Sequence, residues 1–299
     1  MGGGGSPAPT LDYVCMTAVE ATTFTITIGS KLSTSNYEYI EYSLDNGGTW
    51  VKTNNVNNEE VVVNIPEVAI GGSVLLRGKG KQTASSTIAN YYTNITSSGL
   101  FDLSGNIMSL LALDDYADAE PSVNYTFVYL FRGSKVRYAD GFTLHVGTLR
   151  NYIYQGLFYE CSSLVIAPPL HLTSTTNYCC YSMFRGCSSL VSIDVVFPAT
   201  VSTSCYQQMF TGCANLVLNP VLPSTTLVTN CYSSMFQDCA KINYIKAMFT
   251  TAPTSSYCYY WVSGVSATGT FVKNSAATWT DTFGVNAIPT GWTVQTASE

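Results

Sequence analysis

Hydrophobic positions in the second half of the chain recur every 26 residues. The recurring phrase is Phe-x-x-Cys-x-x-Leu, with Ile242 in place of leucine in its fourth copy. Residues at the same position of successive copies form three columns: Phe158, Phe184, Phe210 and Phe236; Cys161, Cys187, Cys213 and Cys239; Leu164, Leu190 and Leu216. A second cysteine column keeps the same period at Cys179, Cys205 and Cys231. A fixed period of this length is typical of solenoids, in which each unit is one coil stacked on the last. These columns are therefore predicted to form the repeat core.

Each repeat divides into two predicted elements. Residues 190–195 alternate between apolar and polar side chains, which predicts a strand that Pro198 ends. Residues 205–210 place apolar side chains at helical spacing, which predicts a short helix closed by Gly212. One strand and one helical turn per unit is the architecture of leucine-rich repeats.

The first half of the chain has the pattern of short strands. Apolar and polar residues alternate in 24–28 and 37–42, and further apolar runs follow at 61–63 and 73–77, all separated by Asn, Gly and Pro clusters. This pattern predicts a β-sandwich of the immunoglobulin or fibronectin type III kind.

The octet from Ser43 to Trp50 fits the pattern S-x-D-x-G-x-T-W and resembles the Asp-box of sialidases. In that family the motif is a structural lock of a hairpin. We expect Asp45 to cap turn amides and Gly47 to take a positive φ. There is one copy and no arginine cluster, so the pattern favours a stable hairpin over a glycosidase.

These patterns divide the chain into five segments. We predict a flexible tail at 1–10, the β-sandwich at 11–98, a junction at 99–127, leucine-rich repeats at 128–262 and a C-terminal cap at 263–299. Phe131 to Ser134 is interpreted as a worn first copy of the repeated phrase, since terminal repeats are commonly atypical. The predicted fold class is mainly β with short helices.

Composition limits the partners. Charged residues are 11% of the 299 residues and the net charge is −6, which argues against nucleic acid. No run of about 18 apolar residues occurs, so no membrane insertion is expected. Between residues 151 and 240 the charges are Glu160, Arg185, Asp194 and Asp238. A neutral glycan or an uncharged protein surface therefore fits this region best.

The ten cysteines are expected to be buried thiols, because eight of them belong to the two repeat columns, with Cys258 joining the second column one residue late. A disulfide ladder and a metal site remain alternatives; no C-x-x-C occurs, and the chain has only two histidines, His145 and His171. The histidines are 26 residues apart, so we expect them on neighbouring coils without a metal. Four acidic residues precede the repeats and indicate either a calcium site or a solvated loop: Asp114, Asp115, Asp118 and Glu120.

No G-x-S-x-G, G-x-x-x-x-G-K or H-E-x-x-H motif occurs. We therefore expect no catalytic residue, no cofactor and no metal, and the chain is predicted not to be an enzyme.

The phrase Met/Ala-Phe-x-x-Cys, followed by x-x-Leu and a proline-bounded strand, resembles the BspA-like, or Treponema-type, leucine-rich repeats. The whole layout is similar to proteins of gut Bacteroidetes and their phages. The resemblance implies a non-enzymatic surface adhesin with no catalytic residues. Because residues 1–9 do not read as an export signal, we expect display on a phage virion; a bacterial cell-surface adhesin and a purely structural virion decoration protein are the alternatives.

The predicted partner is a host-surface glycan or protein, or another virion protein, bound by many displayed copies. The predicted binding residues lie along one repeat strand and the loops beside it: Thr175, Thr176, Ser192, Asp194, Thr225 and Thr226.

Overall fold

The computed structural model of the chain describes residues 12–30, 37–54, 59–81, 83–87 and 91–298. The predicted tail at 1–10 lies outside them. The N-terminal strands are β1 (Val14–Ala18), β2 (Thr22–Ile28), β3 (Tyr37–Ser43), β4 (Val51–Asn54), β5 (Val61–Val68), β6 (Ser73–Gly80), β7 (Thr93–Ser97) and β8 (Phe101–Asn106). Then come helix α1 (Ser109–Ala112), a 3-10 turn (Tyr116–Asp118), β9 (Gly141–Thr143), β10 (Leu170–His171), β11 (Val195–Val196), β12 (Val221–Leu222), β13 (Tyr244–Ala247), helix α2 (Ser255–Cys258), β14 (Thr270–Lys273) and β15 (Thr293–Thr296).

The N-terminal strands form two sheets, ordered β4-β3-β6-β1-β8 and β5-β2-β7, and β9 pairs with β8 at the edge of the larger sheet. The pattern on β2 alternates between buried and less buried residues, and Phe24 meets Phe101 of the other sheet edge-on, with ring centroids 5.2 Å apart. The predicted β-sandwich and the mainly β fold class are confirmed. The predicted junction at 99–127 differs from the structure in one respect: it contributes β8 to the larger sheet, because residues 101–106 alternate between buried and half-buried side chains.

The hairpin between β3 and β4 is locked by its own polar side chains. The Ser43 hydroxyl donates to one Asp45 carboxylate oxygen over 2.7 Å, and the Thr49 amide donates to the same oxygen over 2.8 Å. These bonds lower the pKa of Asp45 to about 2, the Thr49 amide being the largest cause. Gly47 has φ +88°, so the expected role of the octet as a structural turn is confirmed.

The second half of the chain is a solenoid whose interior is a ladder of parallel rings. Successive phenylalanines of the repeated phrase stack 5.6 to 6.0 Å apart within 10° of parallel: Phe131, Phe158, Phe184, Phe210 and Phe236. The leucine column and both cysteine columns are fully buried beside these rings. The predicted solenoid with an aligned core is therefore confirmed, and Phe131 takes its predicted place as the first copy.

One side of each coil, which we call the turn side, differs from the prediction. Residues 205–210 form consecutive tight turns and not a helix. The N–H groups of Cys205 and Met209 donate three residues back, whereas that of Tyr206 donates to Cys231 of the next coil over 3.1 Å. Every fourth residue has a positive φ, 53° at Ser204, 59° at Gln208 and 77° at Gly212. Half of the amides thus join neighbouring coils, which a helix would not allow because it satisfies them internally.

The opposite side of each coil carries the short parallel strands, and we call its outer surface the strand face. The predicted strand at 190–195 is reduced to β11 and an isolated bridge between Ser192 and Ile166. Strict alternation fails there because Leu190 and Ile193 are buried while Val191 and Ser192 are both exposed. At the C-terminal end β12, β13, β14 and β15 form a continuous parallel sheet.

Candidate recognition surface

The strand face exposes aliphatic side chains in a column. The Val191 amide donates to the Val165 carbonyl and the Val217 amide donates to the Val191 carbonyl, both over 2.9 Å. These bonds hold the three valines directly above one another on successive coils. The column becomes more exposed along the solenoid, since Val191 is 42% and Val217 is 59% exposed. Large exposed apolar groups in line mark an interaction surface more often than scattered ones do.

A groove interrupts the strand face between β11 and β12. These strands lie 26 residues apart, yet they belong to separate sheets. Prolines explain the interruption: the Leu172 amide donates to Val196, but the residue one period later is Pro198, which has no N–H group. Pro220 and Pro223 lack this donor on the facing strand.

The groove has a volume of about 380 Å³ and a mainly apolar lining that carries no charged side chain. It is lined by Val195, Val196, Phe197, Leu218, Asn219, Pro220, Val221 and Pro223. Val196 and Val221 are about half exposed at its rim. The groove thus offers a partly enclosed, uncharged position for an apolar side chain of a partner.

The predicted binding residues occupy two different environments. Ser192 and Asp194 are exposed on the strand face, and both line a separate depression together with Asp140 and Ile166. Asp194 approaches His171 of the preceding coil, with 2.9 Å between Oδ2 and Nε2. This carboxylate was not expected in contact with a histidine. Both residues are placed where a partner of the strand face would meet them, and their role in binding stays a prediction.

The predicted threonines lie in the loops that leave the strands. Thr175 donates to the Thr200 carbonyl over 3.3 Å, and Thr176 donates to the Arg150 carbonyl over 2.9 Å, so both hydroxyls join neighbouring coils. Thr225 and Thr226 are exposed. The structure brings none of these four hydroxyls into the lining of the groove.

The cysteines are free thiols, so the disulfide ladder is not formed. Burial raises the pKa of Cys187 and Cys213 well above the ordinary value, which keeps both thiols protonated and unreactive.

The acidic residues that precede the repeats contact different side chains. Asp114 accepts from the Tyr13 hydroxyl over 2.5 Å and from the Arg77 guanidinium over 2.9 Å, whereas Glu120 lies 3.1 Å from His145. The histidines therefore each meet a carboxylate and not one another. Among residues 12–30, 37–54, 59–81, 83–87 and 91–298, no three His, Cys, Asp or Glu side chains are placed to hold a metal ion.

The groove and the aliphatic character of the strand face were not predicted from the sequence. Pro198, Pro220 and Pro223 were the available signal, because three residues without an N–H group near adjacent strands predict a break in the sheet. The exposed large side chains of this face are Val191, Val196, Val217 and Val221.

These features define a repeat solenoid with an exposed, mainly uncharged strand face that is a candidate recognition surface. The sequence profile of the BspA type leucine rich repeat region matches residues 143–265 in six copies. Residues 143–265 therefore form a BspA-type leucine-rich repeat region, and proteins with repeats of this type are generally non-enzymatic surface or recognition proteins. No curated protein and no solved structure matches the chain. None of the described helices is long and apolar enough to cross a membrane.

Proposed function

We propose that this chain is a non-enzymatic adhesion protein that attaches to a protein on a bacterial cell surface through its strand face. The observation that carries the proposal is the aliphatic column beside an uncharged groove. Valine side chains offer dispersion and hydrophobic contact but no hydrogen bonds, so they suit an apolar protein patch better than a sugar. Ser192 and Asp194 supply a polar border, as at the rim of ordinary protein interfaces.

Such a surface is shallow, and each copy is expected to bind weakly. Display of many copies on one particle would convert weak contacts into firm attachment by raising the effective concentration of the second and later contacts. We place the protein on the surface of a phage virion. A virion displays many identical copies of its surface proteins, which is the arrangement that weak binding requires.

The binding proposal is tested with multivalent particles that carry the full chain and are incubated with cells of gut Bacteroidetes. The double variant Val196→Ser, Val221→Ser should reduce attachment about tenfold, because it removes two apolar groups at the rim of the groove. Val62→Ser, Ile70→Ser is the matched control, since it removes two exposed apolar groups from the sandwich. Equal attachment of the two double variants contradicts the proposal.

The location is tested separately by mass spectrometry of purified phage particles. Stoichiometric recovery of the chain supports the virion, and recovery only in bacterial envelope fractions contradicts it. A structural decoration protein would be found in particles whose attachment does not change in the groove variant.

A further inference from the structure

A second surface, on the turn side of the first coils, collects tyrosines and arginines. Tyr129 lies 5.1 Å from Tyr92 of the sandwich and 6.0 Å from Tyr159 of the next coil, between ring centroids. Tyr181 lies one coil further. Burial is the largest cause that raises its pKa, and electrostatic interactions with Tyr129 and Arg185 also act on this phenol. We call the set Tyr92, Tyr129, Arg132, Tyr159, Tyr181 and Arg185 the tyrosine–arginine surface.

Two guanidinium groups approach the same ring. The central guanidinium carbons of Arg132 and Arg185 lie 5.2 and 5.6 Å from the centroid of Tyr159. This arrangement is unusual in a repeat region that has so few charges, within a chain of net charge −6.

Arg185 is held in place but not neutralised. One of its N–H groups donates to the Gln208 side-chain oxygen over 2.8 Å, and that oxygen also accepts from the Ser182 hydroxyl over 3.1 Å. None of the ion pairs among the described residues involves Arg185. Arg132 has one carboxylate neighbour, Glu160, at a distance of 4.0 Å. A fixed guanidinium with unused donors in a planar fork is suited to a carboxylate.

The neutral groups around the arginines indicate which kind of carboxylate. Burial raises the pKa of Tyr181, so this phenol remains a hydrogen-bond donor at neutral pH. The Tyr129 oxygen accepts from Gln155 over 3.3 Å, which leaves its own O–H free to turn toward a ligand. Ring faces and phenol hydroxyls side by side suit the alternating C–H and O–H groups of a sugar.

An acidic peptide fits this surface less well. Extended peptides are usually bound by open backbone groups or by apolar pockets. Here the amides of Glu160 and Gly186 already donate to the carbonyls of Arg185 and Thr211 in the next coils, over 2.7 and 2.8 Å. The surface is formed by aromatic rings and charged side chains, and these two amides are not open to a peptide.

We infer that the tyrosine–arginine surface binds an acidic oligosaccharide, with Arg185 holding the sugar carboxylate and the rings of Tyr129 and Tyr181 contacting the sugar. This binding goes beyond the proposed function, because it uses other residues on another side of the solenoid.

The test measures binding of the full chain by calorimetry to hyaluronan oligosaccharides, which contain glucuronate, and to uncharged dextran oligosaccharides. We expect binding to the acidic sugar and not to dextran. Arg185→Gln should weaken it about tenfold, because a charge-assisted hydrogen bond is lost. Arg185→Lys should give an intermediate loss, since it keeps the charge without the fork. Lys241→Gln, which removes an exposed positive charge elsewhere on the solenoid, should have no effect.

The inference is overturned if both sugars bind equally, if Arg185→Gln and Lys241→Gln behave alike, or if a poly-glutamate peptide competes as well as the oligosaccharide. Equal thermal unfolding of the variants excludes a folding defect. The Val196→Ser, Val221→Ser variant should keep full binding of the acidic sugar, so failure of this inference and failure of the adhesion proposal give different results.

Discussion

The cysteine of the repeated phrase combines a small volume with a hydrogen-bond donor. In four coils its thiol donates to the phenylalanine carbonyl of the preceding coil, over 2.9 to 3.1 Å. Alanine would fill nearly the same space but would leave that buried carbonyl without this partner. A thiol at this position therefore joins consecutive coils while adding little polarity to the core.

Burial of the thiols in the second cysteine column makes the stability of the fold decrease at alkaline pH. Burial is the largest cause that raises the pKa of Cys231, from 9.0 to about 11. Because the folded pKa is the higher one, the contribution to stability is complete below about 9 and is lost as the pH rises toward 11. We expect the urea midpoint to fall over this window, and Cys231→Ala should reduce the size of the fall. A urea midpoint that is constant from pH 8 to pH 11 would contradict this account.

At the scale of elements, the turn side depends on residues that accept a positive φ. Gly212 has φ +77°, and a Cβ there would find its nearest atom at 3.7 Å. Gly156 has φ +59°, but a Cβ there would lie 2.2 Å from the Tyr129 ring. Gly212→Ala is therefore expected to destabilise by about 1 kcal/mol through backbone strain alone.

Gly156→Ala adds a steric clash to the same strain. We expect it to lower the urea midpoint clearly more than Gly212→Ala, and to shift the near-ultraviolet circular dichroism because the Tyr129 ring must move. Both variants are compared in urea titrations of the full chain. Equal losses would show that the ring does not pack on Gly156.

The columns and the solenoid could be predicted from the sequence, but the local structure of the turn side could not. Residues 205–213 follow a pattern of two buried and then two less buried residues, which repeats every four residues. Over one such segment, a period of 4 cannot be told from the 3.6 of a helix. The turns differ from a helix in the positive φ angles of Ser204 and Gln208. A positive φ is not predicted from serine or glutamine in a sequence.

The candidate surfaces were only partly predictable, for a similar reason. The sequence showed that Ser192 and Asp194 belong to a strand and that the region has few charges. It did not show which side chains are exposed, because the short strands break the alternation on which that inference rests. The tyrosine–arginine surface joins Tyr92 to residues of three coils, and only the folded chain brings them together.

At the scale of the whole molecule, the sandwich and the solenoid share structure. Strand β9, which follows the first repeat phenylalanine, pairs in parallel with β8 of the sandwich. The Ile95 amide donates to the Leu130 carbonyl over 2.7 Å, and Ser134 donates its hydroxyl to the Ile95 carbonyl. Ser134 stands where later copies have cysteine. The first copy thus departs from the phrase because its neighbour is a sandwich strand and not a preceding coil.

The shared structure predicts that the sandwich caps the first coil. Removal of residues 1–106 takes away β1 to β8 and exposes the first coil, including Phe131 and Phe142, which are fully buried in the full chain. We expect the remaining fragment to bind a hydrophobic dye and to unfold at lower urea than the repeats of the full chain, because terminal repeats need a polar cover. Hydrogen exchange of β14 and β15 reports the stability of the repeats in both proteins.

Ser134→Ala tests the contact between the sandwich and the first coil in the full-length chain, so a loss of stability cannot result from truncation. It should lower stability by about 1 kcal/mol, because the Ile95 carbonyl loses a buried donor. Ser188→Ala, which changes an exposed serine of a later coil, should have almost no effect. If the truncated fragment were as stable as the full chain and Ser134→Ala were neutral, the sandwich would be a separate domain that only adjoins the repeats.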